Sequence, residues 1–132
     1  MLLQNLRDQV RVLPLIFYHL IFNYIAGDMM DRERAETLDD LVRLIKNEFN
    51  TELVLLFGSR ARGDNLIESD YDIIIVSKDF EGINFIKRMG LVQDLWGGIY
   101  RLQAFCYTPE EFERKRNDIG TVQEACKEGI VL

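Results

Sequence analysis

Apolar and polar positions follow three rhythms along the chain, and each rhythm predicts an element. Leu53 to Phe57 and Ile73 to Val76 are short unbroken runs rich in Leu, Ile and Val, the pattern of two buried strands. Ile99 to Tyr107 alternates instead, with Leu102, Ala104 and Cys106 on one face and Arg101, Gln103 and Phe105 on the other, a third strand. Behind Thr37, with Asp40 three residues later as in a capping box, Leu38, Leu41, Val42, Ile45 and Phe49 recur at helical spacing. Phe85, Ile86, Met89, Val92 and Leu95 mark a second helix within Ile83 to Trp96, weakened by Gly90 and closed by Gly97-Gly98. Thr108-Pro109-Glu110-Glu111 offers an N-cap, a proline at the first helical position and an acidic third residue. The last helix therefore starts here, with Phe112, Ile119, Val122 and Cys126 on its apolar side. Helix, strand, strand, helix, strand, helix predicts an α+β domain with a small mixed sheet backed by helices.

The amino-terminal stretch is apolar in a different way. Val12 to Ala26 is broken only by Pro14, His19 and Asn23 and ends at Gly27, which predicts a helix of about three turns. A bilayer span needs about 20 apolar residues, so this segment is too short for one. It also lacks the cationic start and small-residue cleavage site of a secretory signal. A helix apolar nearly all round must be covered, by the domain or by another chain, which offers a route to a homo-oligomer. His19 fits a satisfied interface histidine better than a ligand. The chain thus divides into an apolar helical extension over 1–28 and a domain over 29–132.

Composition narrows the partners. At 132 residues, 48% of them hydrophobic, the chain fits one domain with a real core. Sixteen basic residues against twenty-two acidic ones leave a net charge of −6, which disfavours a broad surface for duplex nucleic acid. Nothing beyond the first helix points to a membrane. Cys106 and Cys126 lack the spacing of a metal or redox motif and read as packing residues in a reducing, cytoplasmic setting.

The chemistry gathers between the two apolar runs. Gly58 lets backbone approach a ligand closely, and Ser59 stands beside the free amides that open a helical turn, a natural seat for phosphate. Asp70 and Asp72, at i and i+2 of an extended segment, project together while Tyr71 points away. Two adjacent carboxylates repel unless a cation lies between them, and hard oxygen donors favour Mg²⁺ shared with substrate phosphates. One ligand satisfies both features, a metal-bound nucleoside triphosphate. Arg60 and Arg62 supply local positive charge for it, or else form a solvated turn. Asp64 and Glu68 read as surface residues.

These same residues carry a resemblance. Gly58-Ser59-Arg60-Ala61-Arg62-Gly63 followed by Ser69-Asp70-Tyr71-Asp72 resembles the signature of minimal nucleotidyltransferases of the DNA polymerase beta superfamily, including antitoxins paired with HEPN-domain proteins. The similarity runs from about Met30 to Leu132 and includes the closing Ala125 to Leu132. Met29-Met30 falls where a minimal domain of that family starts, so 1–28 is either an unusual extension or the product of an over-long start assignment. The resemblance implies a polymerase-beta-like nucleotidyltransferase fold with an extra amino-terminal helix. It implies Asp70 and Asp72 as catalytic metal ligands, two Mg²⁺ ions in an active site, and Gly58, Ser59, Arg60 and Arg62 around the nucleotide. ATP or another NTP is the implied donor, and a hydroxyl on a HEPN-domain toxin the implied acceptor. Aligned on Tyr107-Thr108-Pro109, the family's third carboxylate falls on Gln103, which carries no negative charge and cannot act as a base. Two functions follow: a Mg²⁺-dependent transferase of AMP to a partner, or a catalytically silent module of the same fold that neutralises its partner by contact. A small-molecule adenylyltransferase is a third, usually met in longer chains.

Overall fold

Strand β1 (Thr51–Phe57) runs antiparallel to β2 (Tyr71–Ser77), pairing Phe57 with Asp72 at one end and Thr51 with Ser77 at the other. Strand β3 (Leu102–Tyr107) lies parallel to β2 and sets Gln103 beside Asp72. A two-residue strand, β4 (Ile130–Val131), pairs antiparallel with the far side of β1, giving the order β3-β2-β1-β4. The computed structural model describes residues 33–132, of which Arg34–Leu132 form one compact unit. The apolar helix expected over 1–28 lies outside the described residues. No helix among the described residues is long and apolar enough to cross a membrane.

Both faces of the sheet are covered, which is why β1 and β2 read as continuous apolar runs rather than alternating ones. On one face Leu55, Phe57, Ile74, Val76 and Tyr107 pack with Phe112, Val122 and Ala125, from α4 (Pro109–Asn117) and α5 (Thr121–Glu128). On the other, Val54, Leu56, Ile73, Ile75, Ala104 and Cys106 are buried, and α1 (Leu38–Glu48), in contact with β1, contributes Leu41, Leu44 and Ile45. The expected N-caps form: Thr37 Oγ1 accepts from Asp40 N–H at 3.2 Å, and Thr108 and Glu111 make the full reciprocal box with Pro109 at the first turn. A single turn, α2 (Ser59–Arg62), follows β1, and α3 (Phe85–Gln93) runs beside the edge strand β3.

Four expectations need correction. The helix that begins at Pro109 does not run to Cys126; it stops at Asn117, Asp118 turns extended, and α5 starts after Gly120. Asn, Asp and Gly are all poor helix formers, and the break lets Val122 and Ala125 reach the sheet and delivers β4 to β1. Ile119, placed in the break, is 97% exposed, and Cys126 faces solvent rather than packing. The second helix is shorter than Ile83 to Trp96, ending at Gln93, and its register is turned: Ile86 is exposed and Arg88 is buried. Finally, β4 had no counterpart among the expected strands, because two exposed residues carry no periodicity.

Among the described residues, Arg88 is the buried cation. Its Nε donates to Ile83 O at 2.8 Å, while Nη1 donates to Cys106 O at 3.1 Å and to Glu111 Oε1 at 2.7 Å. Glu111 Oε1 also accepts the Thr108 N–H at 2.9 Å, so one carboxylate caps α4 and neutralises the arginine of α3.

Candidate functional site

The site is built where β1 ends and β2 begins. Gly58 has φ +72° and ψ −158°, a backbone region that L side chains rarely adopt, and Ala61 N–H and Arg62 N–H both donate to its carbonyl at 3.1 Å. Gly63, at φ +81°, closes the turn with its N–H on Ser59 O at 2.9 Å. A Cβ on Gly58 would collide with Asp72 Oδ2 and lie 3.3 Å from Asp72 Cγ. The bare backbone of the turn therefore lies directly against one of the two carboxylates. Gly58→Ala is expected to cost more than about 1 kcal/mol, from the disfavoured φ and the clash together, a loss that thermal melting reads directly.

Asp70 and Asp72 are half-buried. Burial raises the Asp72 pKa, the negative charge of Asp70 raises it further, and the Arg62 guanidinium pulls it back down. Asp72 thus feels the charge of Asp70, and a cation beside them would relieve it. Gln103 joins them: its Nε2 donates to Asp70 Oδ2 at 2.9 Å. Where the resemblance places a third carboxylate, an amide holds the first carboxylate by a hydrogen bond. Among the described residues no three His, Cys, Asp or Glu side chains group as a metal site. The donors present, two carboxylates and one amide oxygen, fit one hard cation that takes its other oxygens from phosphates or water. Beyond Gln103 opens a cavity of about 460 Å³, bordered also by Met89, Gln93, Arg101, Leu102 and Phe105.

The two arginines of the turn go to different places. Arg62 pairs through Nε with Asp64 Oδ2 at 3.2 Å and through Nη1 with Glu128 Oε1 at 3.0 Å, its side chain 44% exposed. Asp64 and Glu68 lie at the surface, as expected from the sequence. Arg60 turns inward. Its Nε donates to Ser69 O at 2.9 Å and Nη2 to Ile67 O at 3.2 Å, while its Cζ lies 4.1 Å from the Tyr71 ring centroid and 4.8 Å from that of Tyr100. Tyr71 in turn meets Trp96 edge-on at 5.8 Å, and Trp96 Nε1 donates to Tyr100 O at 2.7 Å. Sequence reasoning missed this cluster; the aromatic residue between the two aspartates and the Trp96…Tyr100 pair were its signal.

The sequence matches the family model "Polymerase beta, Nucleotidyltransferase" over residues 39–105, just over half the chain, a span holding Gly58, Ser59, both aspartates and Gln103. No curated protein matches the chain. Among solved structures, a Sulfolobus solfataricus protein described as a candidate nucleotidyltransferase is 29% identical, with a TM-score of 0.50; the match covers 69% of this chain and 71% of that one. BolA1 from Arabidopsis thaliana matches at 26% identity and a TM-score of 0.44, over 55% of this chain and 92% of its own. The BolA domain of SufE1 from the same plant matches at 22% identity and 0.44, over 58% and 99%. These two partial likenesses carry no functional argument. With the family motif, the mixed sheet and the paired aspartates at one sheet end all in agreement, the chain belongs to the polymerase beta nucleotidyltransferase family.

Proposed function

We propose that this chain is a Mg²⁺-dependent nucleotidyltransferase that moves a nucleoside monophosphate, AMP in the first instance, from the triphosphate to a hydroxyl on a partner protein. The observation that carries this reading is the contact of the Gly58 backbone with the Asp72 carboxylate, which puts a phosphate-sized approach and a cation ligand side by side. Asp70 and Asp72 would hold the cation, and Gly58 and Ser59 would receive the β and γ phosphates. Held there, Mg²⁺ would offset part of the triphosphate's charge and lower the pKa of an acceptor hydroxyl. The acceptor oxygen bonds to the α-phosphorus as the bond to pyrophosphate breaks, and Arg62 offsets charge on the leaving group. Gln103 cannot take the acceptor proton, so that proton passes to solvent. Resemblance to the minimal family supports a HEPN-type toxin as the partner, an antitoxin role and a cytoplasmic setting. An oligomer through the segment before residue 29 belongs to the same proposal.

One observation favours a second reading. The amide of Gln103 occupies an oxygen of Asp70 and contributes no charge, as in a module that keeps nucleotide and partner but no longer turns over.

Transfer of label from α-labelled ATP with Mg²⁺ to the protein encoded beside this one separates the two. Wild type is expected to label the partner, and Gln103→Asp to label it faster, by on the order of 10²-fold if a general base is restored. Labelling by the variant alone would select the binding module; binding of the partner with no labelling by either protein would sink the transferase reading.

A further inference from the structure

We infer that Arg60 is a positioning residue for the two aspartates rather than a ligand of the nucleotide. The inference rests on the transferase reading, since it assigns the aspartates to a metal. Strand alternation turns Tyr71 to the face opposite Asp72, and the Arg60 guanidinium lies over the Tyr71 ring. The cation is therefore on the face of β2 opposite Asp72. Two of its five N–H donors, on Nε and Nη2, go to Ser69 O and Ile67 O, in the last residues before Asp70. Tyr100 lines a second side of the guanidinium, its ring centroid 6.3 Å from that of Tyr71 and the two planes inclined at 65°, and the Tyr71 N–H donates to Arg101 O at 2.9 Å. The segment that delivers Asp70 is thus gripped by a planar fork, seated in the corner of two edge-to-face rings, that the point charge of a lysine cannot imitate.

The placement has a second consequence. Arg60 belongs to the same single turn as Ser59, so the guanidinium bolts the phosphate turn to the carboxylate-bearing strand entry. The β1–β2 pairing already sets Asp72 against Gly58, and Arg60 adds a second tie that fixes the approach to Asp70 through residues 67–69. Residues that orient metal ligands without touching the metal commonly change affinity 10- to 100-fold when replaced. A phosphate ligand would behave otherwise, weakening ATP while leaving the bare cation untouched, and tolerating lysine.

The test is Mn²⁺ binding, followed by electron paramagnetic resonance without nucleotide, and Mg²⁺-ATP binding by calorimetry. Wild type is compared with Asp72→Asn, Arg60→Lys, Arg60→Gln and Tyr100→Leu, each checked for folding by melting. The expected result is Asp72-dependent Mn²⁺ binding in wild type, weakened about tenfold or more by Arg60→Lys as well as by Arg60→Gln, and partly by Tyr100→Leu. Wild-type Mn²⁺ affinity in folded Arg60→Lys, with any defect confined to ATP, would overturn the inference and make Arg60 a phosphate ligand. If both Arg60 variants fail to fold, Tyr100→Leu decides: unchanged Mn²⁺ affinity there overturns the inference. Wild-type protein with no Asp72-dependent Mn²⁺ signal overturns the inference together with the metal reading beneath it, whereas intact wild-type binding with unaffected variants removes the inference alone.

Discussion

Asp72→Asn is expected to melt at a higher temperature than wild type at neutral pH and to transfer no label. The sign follows from the raised pKa of Asp72, caused first by burial and then by the charge of Asp70. A carboxyl whose folded pKa exceeds its unfolded value binds its proton more tightly in the native state. Stability is therefore lost as pH rises from the ordinary aspartate value through the folded one, and at neutral pH the full cost is present. The amide removes that cost. Below the unfolded pKa both proteins are uncharged at this position, so the difference between their melting curves should close as pH falls. Adding ligand reverses the ranking. Mg²⁺-ATP at about 100 times its dissociation constant should stabilise wild type by about 2.7 kcal/mol, a rise on the order of 10 °C for a domain of this size, and leave the variant unmoved. Label transfer should fall to background in Asp70→Asn/Asp72→Asn. A variant no more stable than wild type at pH 7 would show that neither burial nor the charge of Asp70 makes the Asp72 carboxylate costly.

The largest loss of stability is expected from Arg88→Ala, about 3–5 kcal/mol, because removal leaves Glu111 without its cation and opens a hole behind β3. The side chain of Arg88 is 7% exposed and that of Glu111 is 29% exposed, so water can rescue part of the carboxylate and the lower end of the range applies. Arg88→Met with Glu111→Gln should recover part of the loss, since an apolar filler beside a neutral amide restores packing without stranding a charge. Glu111 adds a pH signature. Burial pushes its pKa up, but the hydrogen bonds from the Thr108 N–H and from Arg88 more than offset this, and the net shift is downward. Its stabilisation is therefore present above the ordinary glutamate pKa and is lost as pH falls through the depressed folded value. Acid titration of the melting temperature, wild type against the double variant, should show the gap narrowing below about pH 4.5. Equal stability of Arg88→Ala and wild type would remove the buried pair from the account of the fold.

How much of this was legible depends on whether the information is periodic or spatial. Leu53 to Phe57 and Ile73 to Val76 announced themselves because both faces of those strands are buried. The Thr108 cap was legible because capping chemistry lies within four consecutive residues. Arg88 was half legible: it falls on the stripe of Phe85 and Val92, and a cation on an apolar stripe asks for a partner, yet Glu111 lies on another element. The end of the helix at Asn117 was signalled by Asn117, Asp118 and Gly120, but Ile119 and Cys126 mimicked a continuing apolar face. In the site, the pairing of Gly58 with Asp72 was implicit in the motif. The bond between Gln103 and Asp70, the stacking of Arg60 and the reach of Arg62 to Glu128 are facts of register and long-range packing, which no spacing encodes.

The antiparallel pairing of β1 and β2 bears on how the protein comes to fold. The Gly58–Gly63 turn and Asp70 lie in the connection between two adjacent strands and Asp72 in the first residues of the second, so their half of the site closes with little loop entropy. Gln103 arrives on a parallel strand only after α3 has crossed over, a contact of higher sequence separation and slower formation. A nascent or partly unfolded chain can therefore hold the acidic pair before the strand that restrains it has docked. Binding of a divalent cation at that stage would accelerate folding as well as stabilise its product, and stopped-flow refolding with and without Mg²⁺ would measure the difference.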